Sequence, residues 1–158
     1  MPDAAALLTR LRDRGETLAV AESLTGGLVL AALTDVPGAS DVVRGGVVAY
    51  ATDLKASLLG VDTDLLADGG PVQVDVAWQM ATGVARALGA TWGLATTGVA
   101  GPGPADGHPA GTVCVGVHSP RETVARLVPG LVGSSMSRSE IRAASVTEVL
   151  ALALSVTD

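Results

Sequence analysis

Helix-period and strand-type segments alternate along all 158 residues of this chain, and that alternation limits the fold more than any single motif does. Asp3 to Arg14 sets Ala4, Leu7, Leu8 and Leu11 at helical spacing, with Gly15 as a stop. Thr17 to Ala21 is a short β-type run, and the turn Glu22-Ser23-Leu24-Thr25-Gly26-Gly27 leads into an apolar helix over roughly Gly26 to Leu33. Turn residues from Asp35 to Ser40 close it. Gly46 to Tyr50 reads as a strand, and Thr52 to Leu59 as a short helix. Beyond a break at Gly69-Gly70-Pro71, a helix over Asp75 to Leu88 aligns Val76, Met80, Val84 and Leu88. Thr91 to Thr97 is a buried strand, followed by a loop from Gly98 to Pro109. Gly111 to Val117 and Thr123 to Val128 form a hairpin, and Ser139 to Ser155 a last helix with Ile141, Val149 and Leu152 apolar. No repeat or linker interrupts this order. It predicts one α/β domain over residues 1–158, a three-layer α/β/α sandwich whose final hairpin makes the sheet mixed.

Hydrophobic residues make up 48% of the chain and charged residues 16%, enough apolar material for a real core and too little charge for a disordered chain. The longest apolar stretches, such as Leu28 to Leu33, fall far short of the ~20 residues of a membrane-spanning helix. The first segment carries Asp3, Arg10, Arg12, Asp13 and Arg14 and is an amphipathic helix, not a signal peptide. A single cysteine, Cys114, excludes an internal disulfide. A cytoplasmic protein is expected. The net charge of −6, without a Lys/Arg cluster or a set of stacking aromatics, argues against a nucleic-acid partner. A small-molecule ligand is favoured, an anionic one if a few arginines are focused at one site.

Lys55 is the only lysine and Tyr50 the only tyrosine, five residues apart, in a chain without phenylalanine. Arginine replaces lysine cheaply as a solvated charge, but not as an amine that must lose its proton near neutral pH. Either Lys55 is a chance surface residue or it does chemistry, with Tyr50 beside it. Ser23 stands in the strand-to-helix turn, where it or Thr25 caps the helix, or where its hydroxyl serves as a nucleophile next to free backbone N–H groups. A serine nucleophile needs a base. His108 and His118 read as ordinary surface residues, which leaves Lys55, made basic at lower pH by burial or nearby positive charge. Tyr50 at a strand end and Lys55 on the next helix can reach one pocket. The stretch Thr96-Thr97-Gly98-Val99-Ala100-Gly101-Pro102-Gly103 is a glycine-rich loop after a buried strand, a place where α/β sheets bind ligands and also an ordinary long turn. It matches neither a dinucleotide fingerprint nor a P-loop. The carboxylates Asp53, Asp62, Asp64, Asp68 and Asp75 are scattered over helix starts and turns, so neither a metal site nor a cofactor is expected.

Together these segments resemble the CinA C-terminal domain family, which includes stand-alone nicotinamide-nucleotide amidases. The resemblance runs through Ala21 to Gly27, Leu33 to Ser40, Arg44 to Tyr50, Lys55 with Leu58-Leu59-Gly60-Val61, and Thr97 to Pro102. Gly111-Thr112-Val113 and Arg138-Ser139-Glu140-Ile141-Arg142 extend it almost to the C-terminus. It implies hydrolysis of the carboxamide of nicotinamide mononucleotide to nicotinate mononucleotide and ammonia. In that reading Ser23 is the nucleophile and neutral Lys55 the general base, with Tyr50 assisting. Glu22, Thr25, Gly26, Gly27, Thr97, Gly98, Gly101 and Pro102 shape the substrate site, and Arg138 or Arg142 reaches the phosphate. The resemblance also implies a homodimer. Larger family members carry an additional N-terminal domain, which this sequence is expected to lack. Two stretches depart from the family pattern. Gly70-Pro71-Val72-Gln73 replaces Gly-Ala-Val-Ser, and Asp106-Gly107-His108-Pro109 replaces a glutamate-lysine-proline stretch, the second altering the pocket rim. The competing class is a non-catalytic ligand-binding or protein-interaction module on the same fold. A metal-dependent hydrolase is disfavoured by the ligand inventory.

Overall fold

A computed structural model describes residues 1–158, apart from the side chain of Pro2. Three parallel strands organise it. β1 (Leu18–Glu22) lies between β2 (Val43–Val48) and β3 (Trp92–Gly98), and the antiparallel β4 (Val113–His118) and β5 (Thr123–Leu127) extend the sheet to the order β2-β1-β3-β4-β5. Ala19 pairs with Gly45 and Gly93, and Glu22 with Val48 and Thr96, so β1 and β2 end level and β3 runs on to Gly98.

Helices α1 (Pro2–Asp13), α2 (Leu28–Thr34) and α6 (Arg138–Val156) cover one face of the sheet. Their core joins Leu7, Leu11, Val29, Val149 and Leu150 to Val20, Leu94 and Val115 of the strands. The other face carries α3 (Thr52–Leu59), α4 (Thr63–Gly69) and α5 (Val74–Leu88) over Ala19, Ala21 and Ala95. Here the helix lies very close. A Cβ on Gly93 or Gly116 would fall on the carbonyl oxygen of Ala81 or Ala77 in α5. Bare backbone at these two strand positions lets α5 rest directly on the sheet. The mixed, three-layer α/β architecture expected from the alternation is therefore observed.

The differences are local. β2 begins at Val43, earlier than Gly46, because Gly45 and Gly46 dilute a strand signal without preventing strand pairing. Between α3 and α5 the structure adds a helix not expected from sequence, the seven-residue α4, whose N-cap Asp62 accepts through its carboxylate from the Asp64 amide at 2.8 Å. Helix α2 begins at Leu28, after Gly26 and Gly27.

β1 connects to β2 on one side and β3 lies on its other side, with the crossover helices α2 and α5 on opposite faces. The chain thus reverses its direction across the sheet at β1. In such sheets a crevice opens at the carboxyl ends of the strands, at the reversal. Ser23 is the first residue past β1.

Candidate functional site

The Ser23 amide donates to the Thr96 carbonyl at 3.1 Å, which holds the residue against β3 as the chain leaves the sheet. Gly26 and Gly27 then adopt left-handed backbones, with φ of 57° and 108°. That turn brings the amides of Gly27, Val29 and Leu30 onto the Glu22 carboxylate at 3.0, 3.0 and 2.9 Å. One buried carboxylate therefore satisfies three donors at the start of α2, where negative charge is favoured. Gly27 is the N-cap, and neither Ser23 nor Thr25 caps the helix through its side chain. Glu22, expected beside the substrate, is committed to the fold. Thr25 is fully buried and shares a 2.7 Å hydrogen bond with Thr96. Relieved of capping, the Ser23 hydroxyl faces Lys55.

Side chains on a helix lean toward its N-terminus. Lys55, in the first turn of α3, accordingly runs back over the segment that leads into its own helix. Its Nζ lies 2.9 Å from Ser23 Oγ, 2.8 Å from the Ala49 carbonyl and 3.3 Å from the Tyr50 carbonyl. The residue is only 1% exposed. Burial lowers its pKa from the ordinary 10.5 to about 8, against a smaller opposing effect of the Asp106 charge. A neutral amine has two hydrogens and one lone pair. Two carbonyls take the hydrogens, which leaves the lone pair for the Ser23 hydroxyl to donate into. The structure thus brings Ser23 and Lys55 together, as their residue types suggested.

The pair opens onto a cleft of about 380 Å³ at the carboxyl ends of the parallel strands, within the roughly 300–1,000 Å³ of small-molecule sites. Tyr50, Thr97, Gly98, Gly101 and Arg138 line it, as expected from sequence. Glu22, Thr25, Gly26, Gly27, Pro102 and Arg142 do not. Tyr50 contributes its backbone carbonyl to Lys55, whereas its exposed phenol meets Arg138 at 3.3 Å. Thr97 Oγ1 donates to the Pro71 carbonyl at 2.7 Å and ties the end of β3 to the α4–α5 connection. Pro71 and Val72, part of an unusual stretch for the family, thereby become cleft wall.

The two arginines at the start of α6 divide their work. Arg138 donates to the Gly101 carbonyl at 2.7 Å and presents the rest of its guanidinium to the cleft. Arg142 donates to the carbonyls of Leu24 and Thr25 at 2.9 and 3.1 Å and clamps the turn that carries Ser23. A capping box fixes the helix start behind both: Ser137 accepts from the Glu140 amide, and the Glu140 carboxylate accepts from the Ser137 amide at 2.7 Å. Those contacts with Ser137 hold Glu140 below the usual carboxylate range. Asp106, which the sequence reading placed only in an altered rim loop, also lines the cleft. Its signal was the departure from the family pattern at that loop. Among the described residues no three His, Cys, Asp or Glu side chains converge as metal ligands, and no helix is long and apolar enough to cross a membrane.

A serine hydroxyl held against a buried lysine amine, at the reversal point of a mixed five-stranded sheet, sets the class: an α/β/α domain with a Ser–Lys pair at a cleft beside the carboxyl ends of its parallel strands. The chain belongs to the CinA C-terminal domain family, whose sequence profile matches residues 2–157. It is 53% identical over 148 residues to a CinA-like protein of Frankia casuarinae, covering 92% of this chain and 33% of the relative. To a CinA-like protein of Gloeobacter violaceus it is 50% identical over 149 residues, covering 94% and 34%. The chain thus spans about a third of the length of these curated relatives. Among solved structures, the competence/damage inducible protein CihA from Agrobacterium tumefaciens superposes with a TM-score of 0.87 at 33% identity, covering 99% of this chain and 96% of that one. A competence or damage-inducible protein from Enterobacter asburiae gives 0.91 at 29% identity, with coverage of 99% and 96%.

Proposed function

We propose that this domain is an amidohydrolase that converts nicotinamide mononucleotide to nicotinate mononucleotide and ammonia, in pyridine nucleotide recycling. The observation that carries the reading is the 2.9 Å contact of a buried, pKa-lowered lysine with a serine hydroxyl. Neutral Lys55 takes the Ser23 proton as Oγ attacks the carboxamide carbon. In this reading the developing oxyanion meets the backbone amide of Leu24, the residue after the nucleophile and part of the cleft wall. Lys55 then passes the proton to the amide nitrogen, the C–N bond breaks, and ammonia leaves an acyl-Ser23. Water, deprotonated by the same lysine, attacks that ester. The acid departs and the proton returns to Ser23.

Arg138 is the phosphate-facing cation in this reading, since Arg142 is engaged with the Ser23 turn. A guanidinium fork suits two phosphate oxygens. Tyr50 supports the chemistry from two sides, its carbonyl orienting Lys55 and its ring walling the cleft beside Arg138. We read the assembly as a homodimer from the family resemblance, and a mass near 15.6 kDa by light scattering at working concentration would overturn that part.

The deciding experiment measures ammonia release across a panel of nicotinamide mononucleotide, nicotinamide riboside and free nicotinamide. The phosphorylated substrate should be turned over with the lowest KM. Absence of release from every member of the panel, with the ligands still bound, would instead identify a binding module.

A further inference from the structure

Asp106 is the one described non-glycine residue with a left-handed backbone, at φ 52°. Its loop is closed by reciprocal backbone hydrogen bonds between Ala105 and His108, at 3.0 and 2.9 Å, and it lies near Gly70, where an added Cβ would come within 3.9 Å of the Asp106 Cβ. A backbone angle that costs free energy in most residues is therefore held by the closed loop, and the residue so held is a carboxylate on the cleft wall. The ionisable groups lining that cleft are Tyr50, Lys55, Asp106 and Arg138. With Lys55 neutral, the cleft keeps one positive group and one negative group. A purely anionic ligand has no use for the second.

We propose that Asp106 is a specificity residue that pairs with a positively charged ring on the ligand while Arg138 takes the ligand's anionic group. The cleft then selects a pyridinium nucleotide over its neutral dihydropyridine counterpart. This rests on the amidase reading for the ligand class. The two ring forms carry the same carboxamide, ribose and phosphate, and differ in the ring's charge. A carboxylate that only hydrogen-bonded the ribose hydroxyls would bind both alike. The Asp106 charge also reaches the lysine, whose pKa it raises against the larger effect of burial.

The test compares oxidised and reduced nicotinamide mononucleotide by calorimetry on a Ser23→Ala background, where turnover does not interfere. Asp106→Asn removes the charge and keeps a side chain that tolerates the left-handed backbone. It should weaken the oxidised ligand about fivefold, the scale of one partly solvated charge pair, and leave the reduced ligand unchanged. Equal effects on both ligands, or none, would overturn the proposal. A second readout uses the Ser23-containing enzyme. Asp106→Asn should move the acid limb of kcat/KM to lower pH, because a charge that favoured protonated Lys55 is gone, and an unmoved limb counts against the proposal. The two readings fail separately. Charge-selective binding without ammonia release sinks the amidase alone, whereas ammonia release with charge-blind binding sinks the role of Asp106 alone.

Discussion

In its neutral form Lys55 Nζ has two hydrogens and one lone pair for its three contacts, and that balance makes specific demands on single substitutions. Lys55→Arg keeps a cation but cannot supply a neutral base, so amidase turnover should fall about 10²–10⁴-fold while circular dichroism stays unchanged. Ser23→Ala should remove several orders of magnitude. Near-normal turnover by Lys55→Arg would exclude proton transfer by the amine. The rate should also decline on the acid side with a midpoint of about 8 in kcat/KM, as burial sets for Lys55. The sign for stability follows from the same shift. The folded-state pKa is depressed below the unfolded 10.5, so between about 8 and 10.5 the unfolded chain binds the extra proton. Stability contributed by the lysine is complete above the unfolded value and is lost as pH falls through the folded one. In denaturation curves, the difference between wild type and Lys55→Met should therefore move in favour of wild type as pH rises through that window. That Ser23, Tyr50 and Lys55 share one cleft was legible in the sequence, because Tyr50 and Lys55 are the only residues of their types and Ser23 stands in the strand-to-helix turn. The commitment of Glu22 to the α2 amides was not legible, since a carboxylate next to a reactive serine looks the same in sequence whether it meets a ligand or a helix end.

At the scale of elements, the site depends on how α6 begins. Arg138 and Arg142 sit one turn apart and look equivalent in sequence, yet one faces the cleft and the other grips the Leu24 and Thr25 carbonyls. Arg138→Ala should raise KM for the mononucleotide roughly ten- to a hundredfold, as expected for a lost charged hydrogen bond, with a smaller fall in kcat and little effect on the riboside. Arg142→Ala should instead destabilise the fold by about 1–3 kcal/mol and lower kcat on both substrates, because the turn carrying Ser23 loses its clamp. Identical kinetic profiles for the two variants would contradict this division. Helical spacing showed that both arginines lie near one face. Which carbonyls they find is decided by the packing of α6 on the turn after β1, a contact across more than a hundred residues of sequence. Helix α4 was missed for a related reason. Its Leu65 and Leu66 give too short a pattern to announce a helix, and packing of Leu66 into the core beneath α5 supplies the rest.

Across the whole molecule, the alternation of element types was enough to predict three layers and a mixed sheet. Strand order was not, because β1 finds β2 and β3 through crossovers whose side is set by chain handedness and not by any local residue. The glycines at 93 and 116 show the limit well. In sequence they weaken two strands, and in the fold they admit the α5 backbone. Gly93→Ala should accordingly cost about 1–3 kcal/mol through overpacking, measured as a lower urea midpoint, although the residue lies at the end of β3 away from the cleft. A neutral outcome would mean that α5 can lift from the sheet without loss.

The antiparallel register of β4 carries one more consequence. His118 pairs with Gly93 at the start of β3, and Val113 with Gly98 at its end, so the turn from β4 to β5 projects from the side of the sheet opposite the cleft. Pro120 and Arg121 are exposed there, whereas the native thiol of Cys114 is buried and raised to about 11. Arg121→Cys would therefore create a single reactive thiol, since the buried one is inert. Maleimide attached at that point should anchor the protein to a solid support with its cleft uniformly facing the solution. Labelling should stop at one equivalent, and the tethered protein should keep the activity it has when free.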